Sequence, residues 1–262
     1  MDRAMSGRVV VNVATGHYVR GQLRMAKHFT WPEFEFRAYN DHVPTGCPPH
    51  EEVPYAFKAY ALKYHADDLK YETLLWADAC IVPGARPLED LWAYIEEHGV
   101  WLARNGWTNY EWTADSAYPD LFPEVWRNQQ MSTEHVIKEM HRLNRIKEMH
   151  RLNREIPHVV ATAFGVSLKH PKGCAFLDEY YRLASETKAF CGPWINAAGS
   201  PGPYDNRSAP CGPLDVRGHR HDQTAASVIA WRLGVQLTDC PEWFSYRGGE
   251  TDKTCLVADG AY

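Results

Sequence analysis

Two aspartates stand where a fold would present them for chemistry. Asp78 lies within the apolar run Leu74 to Val82, LLWADACIV, at the place where a strand would bring a carboxylate to the rim of a sheet. Asp222 opens HRHDQTAASVIAWRLGV, 219–235, which reads as the start of a helix. Carboxylates are the groups that hold hard cations and take up protons. Each also has a plainer use: Asp78 can end a strand, and Asp222 can cap free N–H groups at the positive end of the helix dipole. His219 and His221 flank Arg220 just ahead of that helix, as ligands for a metal or phosphate or as solvated side chains. The stretch NGWTNYEWTAD, 105–115, mixes tryptophan and tyrosine with Glu111 and Asp115. Aromatic faces suit the C–H surfaces of sugars, and they also fill cores.

The elements that must position these residues alternate between two periods. Arg8 to Ala14, RVVVNVA, is a continuous apolar run of the kind that makes a strand buried on both faces. Helical spacing follows over Gly21 to Phe29, then strand alternation over Glu33 to Tyr39, then a helix from near Pro54 to Leu69. Thr73 to Val82 reads as one strand, Pro87 to His98 as a helix and Gly99 to Ala103 as a short strand. Farther on, Val159 to Leu168 is a strand, Gly173 to Thr187 a helix and Asp222 to Leu233 a helix. Residues 191–218 read as a long loop, and the sequence after Leu233 as irregular. This alternation predicts an α/β fold with a mostly parallel central sheet flanked by helices. Ligands of such sheets sit beyond the carboxyl ends of the strands. Ala14-Thr15-Gly16-His17-Tyr18 therefore falls where a ligand would, with Tyr18 either stacking on it or packing inward.

Composition narrows the function classes. Hydrophobic residues at 45% and charged residues at 23% are ordinary for a globular chain of 262 residues. No run of about 18 apolar residues is present to span a membrane. Met1 to Arg8 does not have the pattern of a signal peptide, and a cytoplasmic location is expected. A net charge of −5 without a basic stripe argues against a nucleic-acid partner. Seven cysteines without a CxxC pair suit reduced thiols rather than a disulfide framework or structural zinc. No GxxxxGK loop, GxSxG elbow or HExxH pair occurs.

One segment is repeated. IKEMHRLNR at 137–145 recurs unchanged at 146–154. Nine residues at about 3.6 per turn are two and a half turns, so the copies point to opposite sides of a helix. One of Met140/Leu143 and Met149/Leu152 must then be more exposed than the other. Either the segment is a tandem duplication tolerated at an exposed place, or it protrudes and offers a contact surface to a second chain, including a copy of itself.

The order of strands and the motifs at 14–18, 74–82 and 219–223 resemble the GT-A nucleotide-sugar glycosyltransferases over roughly residues 8–235. The resemblance implies a single GT-A-like domain over 1–262, with a nucleotide-binding half at 8–105 and an acceptor-side half at 106–262. It implies transfer of a sugar from a nucleoside diphosphate sugar to an acceptor. Thr15, Gly16, Tyr18, Lys58 and Asp78 would bind the donor, and Asp222 would be the base or an acceptor ligand. Asp78 would also hold Mn²⁺ or Mg²⁺ as the first residue of an acidic motif. Here Cys80 occupies the second position, and a thiol is a poor ligand for those hard ions. A GT-A-like interaction protein without catalysis is the alternative. A nucleotidyltransferase would need a basic phosphate loop, and GHYVRG supplies only Arg20.

Overall fold

The computed structural model describes residues 7–29, 34–40, 44, 46–127, 135–193, 212–213 and 215–260, with the backbone alone at 127 and 135–141. The strands are β1 (Arg8–Ala14), β2 (Glu35–Asn40), β3 (Thr73–Ala77), β4 (Ile81–Pro83), β5 (Val100–Thr108), β6 (Pro157–Ser167), β7 (Thr238–Asp239), β8 (Phe244–Tyr246) and β9 (Leu256–Ala258). The helices are α1 (Val19–His28), α2 (Ala56–Asp67), α3 (Leu88–His98), α4 (Tyr118–Leu121), α5 (Pro123–Arg127), α6 (His135–Glu155), α7 (Pro171–Glu186) and α8 (His221–Arg232).

The central sheet has six strands in the order β2-β1-β3-β6-β5-β7. It is mixed, which corrects the expected mostly parallel sheet. β1 pairs in parallel with β2 and β3, but β6 runs antiparallel to both β3 and β5. A strand buried on both faces reads as an apolar run in either direction, so its direction leaves no mark on the sequence.

Alternation along each strand divides the core. Val9, Val11, Val13, Leu74 and Trp76 face α2, α7 and α8, while Val10, Leu75 and Ala77 face α1, α3 and a smaller sheet. That second sheet, β4-β9-β8, is a further correction. Thr73 to Val82 is two strands, broken where Ile81 N donates to Asp78 O at 2.9 Å. The region after Leu233, expected to be irregular, supplies β7, β8 and β9. β5 runs on to Thr108, past the expected end at Ala103. The 191–218 loop lies largely outside the described residues. Among the described residues no helix is long and apolar enough to cross a membrane.

Candidate functional site

The carboxyl edge of β1 and β3 brings together several of the candidate residues. Their register pairs Val11 with Trp76, so Asp78 and the turn after Ala14 lie at the same edge. Buried Asn12 ties the two strands by donating to Ala77 O at 2.6 Å, and Gln22 of α1 donates to Asn12 Oδ1 at 2.7 Å. Beyond them Thr15, Gly16, His17 and Tyr18 form an exposed 3₁₀ turn. Gly16 has φ +53°, a left-handed backbone that suits glycine. Tyr18 is 44% exposed, and its ring lies 4.1 Å from that of His17.

Three of the residues singled out in the sequence meet in one cluster. The Lys58 ammonium, from the first turn of α2, lies 3.2 Å from Asp78 Oδ1 and 3.0 Å from Asp222 Oδ2. It also donates to the Ala161 carbonyl of β6 at 2.8 Å. Trp76 Nε1 donates to Asp78 Oδ1 at 2.7 Å, and Asp78 N donates to Thr162 O. The side chains of Lys58 and Asp222 are 3% and 4% exposed, whereas that of Asp78 is 31% exposed. Asp78 is therefore the carboxylate that solvent or a ligand can reach.

Burial sets the electrostatics. It works against the charge on Lys58, yet Asp222 and Asp78 outweigh it and hold the ammonium above its ordinary value. Burial raises the Asp222 carboxyl, opposed by Lys58 and helped by Asp78, with a net upward shift. Tyr180 of α7 is pushed well above its usual value by burial and then by the two carboxylates. Its buried hydroxyl and Asp222 Oδ2 both lack a well-aligned hydrogen bond, so the centre keeps polar capacity beyond its ion pairs.

The helices that supply Lys58 and Asp222 both begin under strain. Among the described residues only Tyr55, Lys70 and His221 combine a side chain with positive φ, and two of these precede the cluster. Such conformations cost about 1–3 kcal/mol each and gather at functional sites. His50 Nδ1 accepts from Tyr55 N at 2.9 Å and fixes the first of them. The Tyr55 ring faces that of His221 at 5.8 Å.

The two histidines are not free to act as ligands in the way their spacing suggested. His219 Nδ1 accepts from Ala114 N and Nε2 donates to Ala189 O, and burial lowers its pKa to about 4. His221 Nδ1 bonds Phe190 O at 2.8 Å. The pair grips segment 189–193, where a Cβ on Gly192 would come 2.8 Å from the His219 ring. Three of their four ring nitrogens thereby bond backbone groups. Among the described residues no three His, Cys, Asp or Glu side chains are arranged to hold a metal.

Sequence reasoning missed Trp76, Tyr55, Tyr180 and Arg220. Trp76 could have been found, because two residues along a strand share a face with Asp78. Tyr55 sits one turn before Lys58. Arg220 is half-buried, with its guanidinium 4.3 Å over Trp112 and its charge facing Tyr55, Tyr246 and Asp222. A concavity of about 390 Å³ lined by Tyr60, Lys63, Tyr64, Asp67 and Tyr181 shares no residue with this cluster.

No family model and no curated protein matches the chain. Among solved structures it is similar to a glycosyltransferase involved in glycosylation of the major capsid of PBCV-1, at 10% identity and TM-score 0.46, covering 97% of this chain and 93% of that one. It is also similar to the bifunctional glycosyltransferase WbbM, at 11% identity and TM-score 0.44, where all of this chain spans 46% of that one. A third likeness is to mouse xyloside xylosyltransferase 1, at 8% identity and TM-score 0.36, covering 96% and 85%. At this level of similarity neither substrate nor chemistry transfers, and any functional reading stands on the site itself.

Proposed function

We propose that this protein transfers a sugar from a nucleoside diphosphate sugar to an acceptor, with a GT-A-like arrangement of residues 8–105 on the donor side and 106–262 on the acceptor side. One observation carries the reading. The exposed Thr15-Gly16-His17-Tyr18 turn and the half-exposed Asp78 share the carboxyl edge of adjacent parallel strands, and a buried ion-pair cluster stands directly behind them. Ligands bind at such edges. In this reading Thr15, Gly16 and Tyr18 cradle the nucleotide, and Asp78 contacts its ribose or diphosphate. Lys58 donates to Ala161 O and forms ion pairs with Asp78 and Asp222, and so holds the carboxylates in place. Asp222 has the raised proton affinity wanted of a base for an acceptor hydroxyl. In a retaining reaction it would orient the acceptor instead.

The enclosure of Asp222, only 4% exposed, favours a second reading: a binding protein of the same architecture that does not turn over. Thermal shift against a panel of nucleoside diphosphates and nucleotide sugars tests the first reading, since a ligand of the folded state raises its melting temperature. One nucleotide should stabilise the protein, and Asp78→Ala should weaken it roughly 10–100-fold, the scale of a lost hydrogen bond to a charged group. Binding by the mutant equal to wild type would remove Asp78 from the site. Stabilisation without release of nucleoside diphosphate from its sugar would select the binding protein, and no stabilisation by any nucleotide would overturn both.

A further inference from the structure

The group least expected at a sugar-nucleotide site is a fully buried amine between its two carboxylates. Lys58 Nζ is surrounded by five acceptors of positive charge. Asp78 and Asp222 supply oxygens at 3.2 and 3.0 Å, and the Ala161 carbonyl a third at 2.8 Å. The Tyr55 and Trp76 ring centroids lie 5.1 and 5.4 Å away. Two carboxylates and a carbonyl within 3.2 Å suit an ammonium, and ring faces suit an organic cation.

Mn²⁺ and Mg²⁺ fit this place badly. Mg²⁺ demands a near-ideal octahedron of oxygens, and both are hard ions that prefer oxygen to sulfur or ring faces. Asp78 Oδ1 is already taken by Trp76 Nε1 and Lys58. Cys80, in the second motif position, is a soft donor. We propose that Lys58 is a resident cation: its ammonium occupies the place between Asp78 and Asp222 that a divalent metal would need, so the site works without one. This deepens the proposed function, yet the test below reads cation binding alone and stands whether or not a sugar is transferred.

Truncation of the lysine leaves a cage shaped for an amine. In Lys58→Ala, n-propylammonium should raise the melting temperature in proportion to the logarithm of its concentration, while Mn²⁺ should not. The same amine should leave wild type unshifted, because Lys58 already fills the cage. Tetramethylammonium, with no N–H to donate, controls for general salt effects and should not rescue. Stabilisation of Lys58→Ala by Mn²⁺ but not by the amine would overturn the proposal. If Lys58→Ala does not fold under any condition, paramagnetic resonance of Mn²⁺ added to wild type and to Asp78→Asn decides. Equal free-ion signals in both support the proposal, and stoichiometric loss of signal in wild type that Asp78→Asn restores overturns it.

Discussion

The same nine residues occur twice in α6 and meet different surroundings. In the second copy Met149 and Asn153 are fully buried and Ile146 nearly so. In the first copy Leu143 is 46% exposed and Asn144 is exposed, while Leu152, the counterpart of Leu143, packs against the core. The side chain of Met140 lies outside the described residues. The helix is continuous over both copies, so phase accounts for the difference. A nine-residue offset turns the second copy about half a turn from the first, and one core can receive only one of them. The choice is made downstream, because buried Ile156 and β6 fix the second copy. Identical sequence therefore specifies identical helix here but not identical burial.

The buried copy also reaches the turn that packs against α8. Asn109 donates to Asn153 Oδ1 at 2.9 Å, and Asn153 donates to Thr113 Oγ1 at 2.9 Å. Thr224, two residues beyond Asp222, donates through Oγ1 to Trp112 O at 2.6 Å. One nonapeptide thus braces the turn against which α8 is held, and the other does not.

Point substitutions at matched positions sharpen the contrast. Met149→Ala removes a fully buried side chain and should destabilise by about 2–5 kcal/mol. Leu143→Ala should stay within about 0.5 kcal/mol. Equal losses in denaturant unfolding would erase the distinction between the copies. The next effect is smaller. Asn153→Ala leaves the amide of Asn109 and the hydroxyl of Thr113 without their bonds to it and should cost about 1–3 kcal/mol, against about 0.5 or less for Asn144→Ala. A larger loss at Asn144 would mean that the first copy, not the second, carries the polar contacts.

The copies also show what could be read from the chain in advance. Half-turn phasing follows from a count of residues, and β1 and β3 follow from continuous apolar runs that leave few alternatives. Asp78 and Asp222 stood out as candidates by their positions at element ends. Their meeting on Lys58 was not, since that contact joins α2, the end of β3 and α8, which only packing brings together. The three-residue strands β4, β8 and β9 carry too few residues for a period to register. The two histidines, readable as ligands or as solvated side chains, are instead buried, because spacing gives proximity but not the backbone carbonyls that engage them.

The largest change should have only a small effect. Because the repeats are identical, deleting 137–145 or 146–154 produces one and the same chain. In that chain the remaining copy adjoins Glu155 and Ile156 directly, so its methionine and its asparagine take the places of Met149 and Asn153 without a change of phase. What disappears is about 13.5 Å of helix at the end that carries exposed Leu143 and Asn144. The loss includes the Arg145 guanidinium over Trp126, at 4.6 Å from its centroid, and its hydrogen bond to Trp126 O. A partly exposed cation–π contact and one hydrogen bond are each worth about 1 kcal/mol. The deletion should therefore shift stability by no more than about 1–2 kcal/mol and leave nucleotide binding as it was. Hydrogen exchange should find the amides of the remaining copy as protected as those of 146–154 in the full chain. A deletion chain that fails to fold, or one that exchanges rapidly there, would show that the exposed copy is part of what holds the buried one in place.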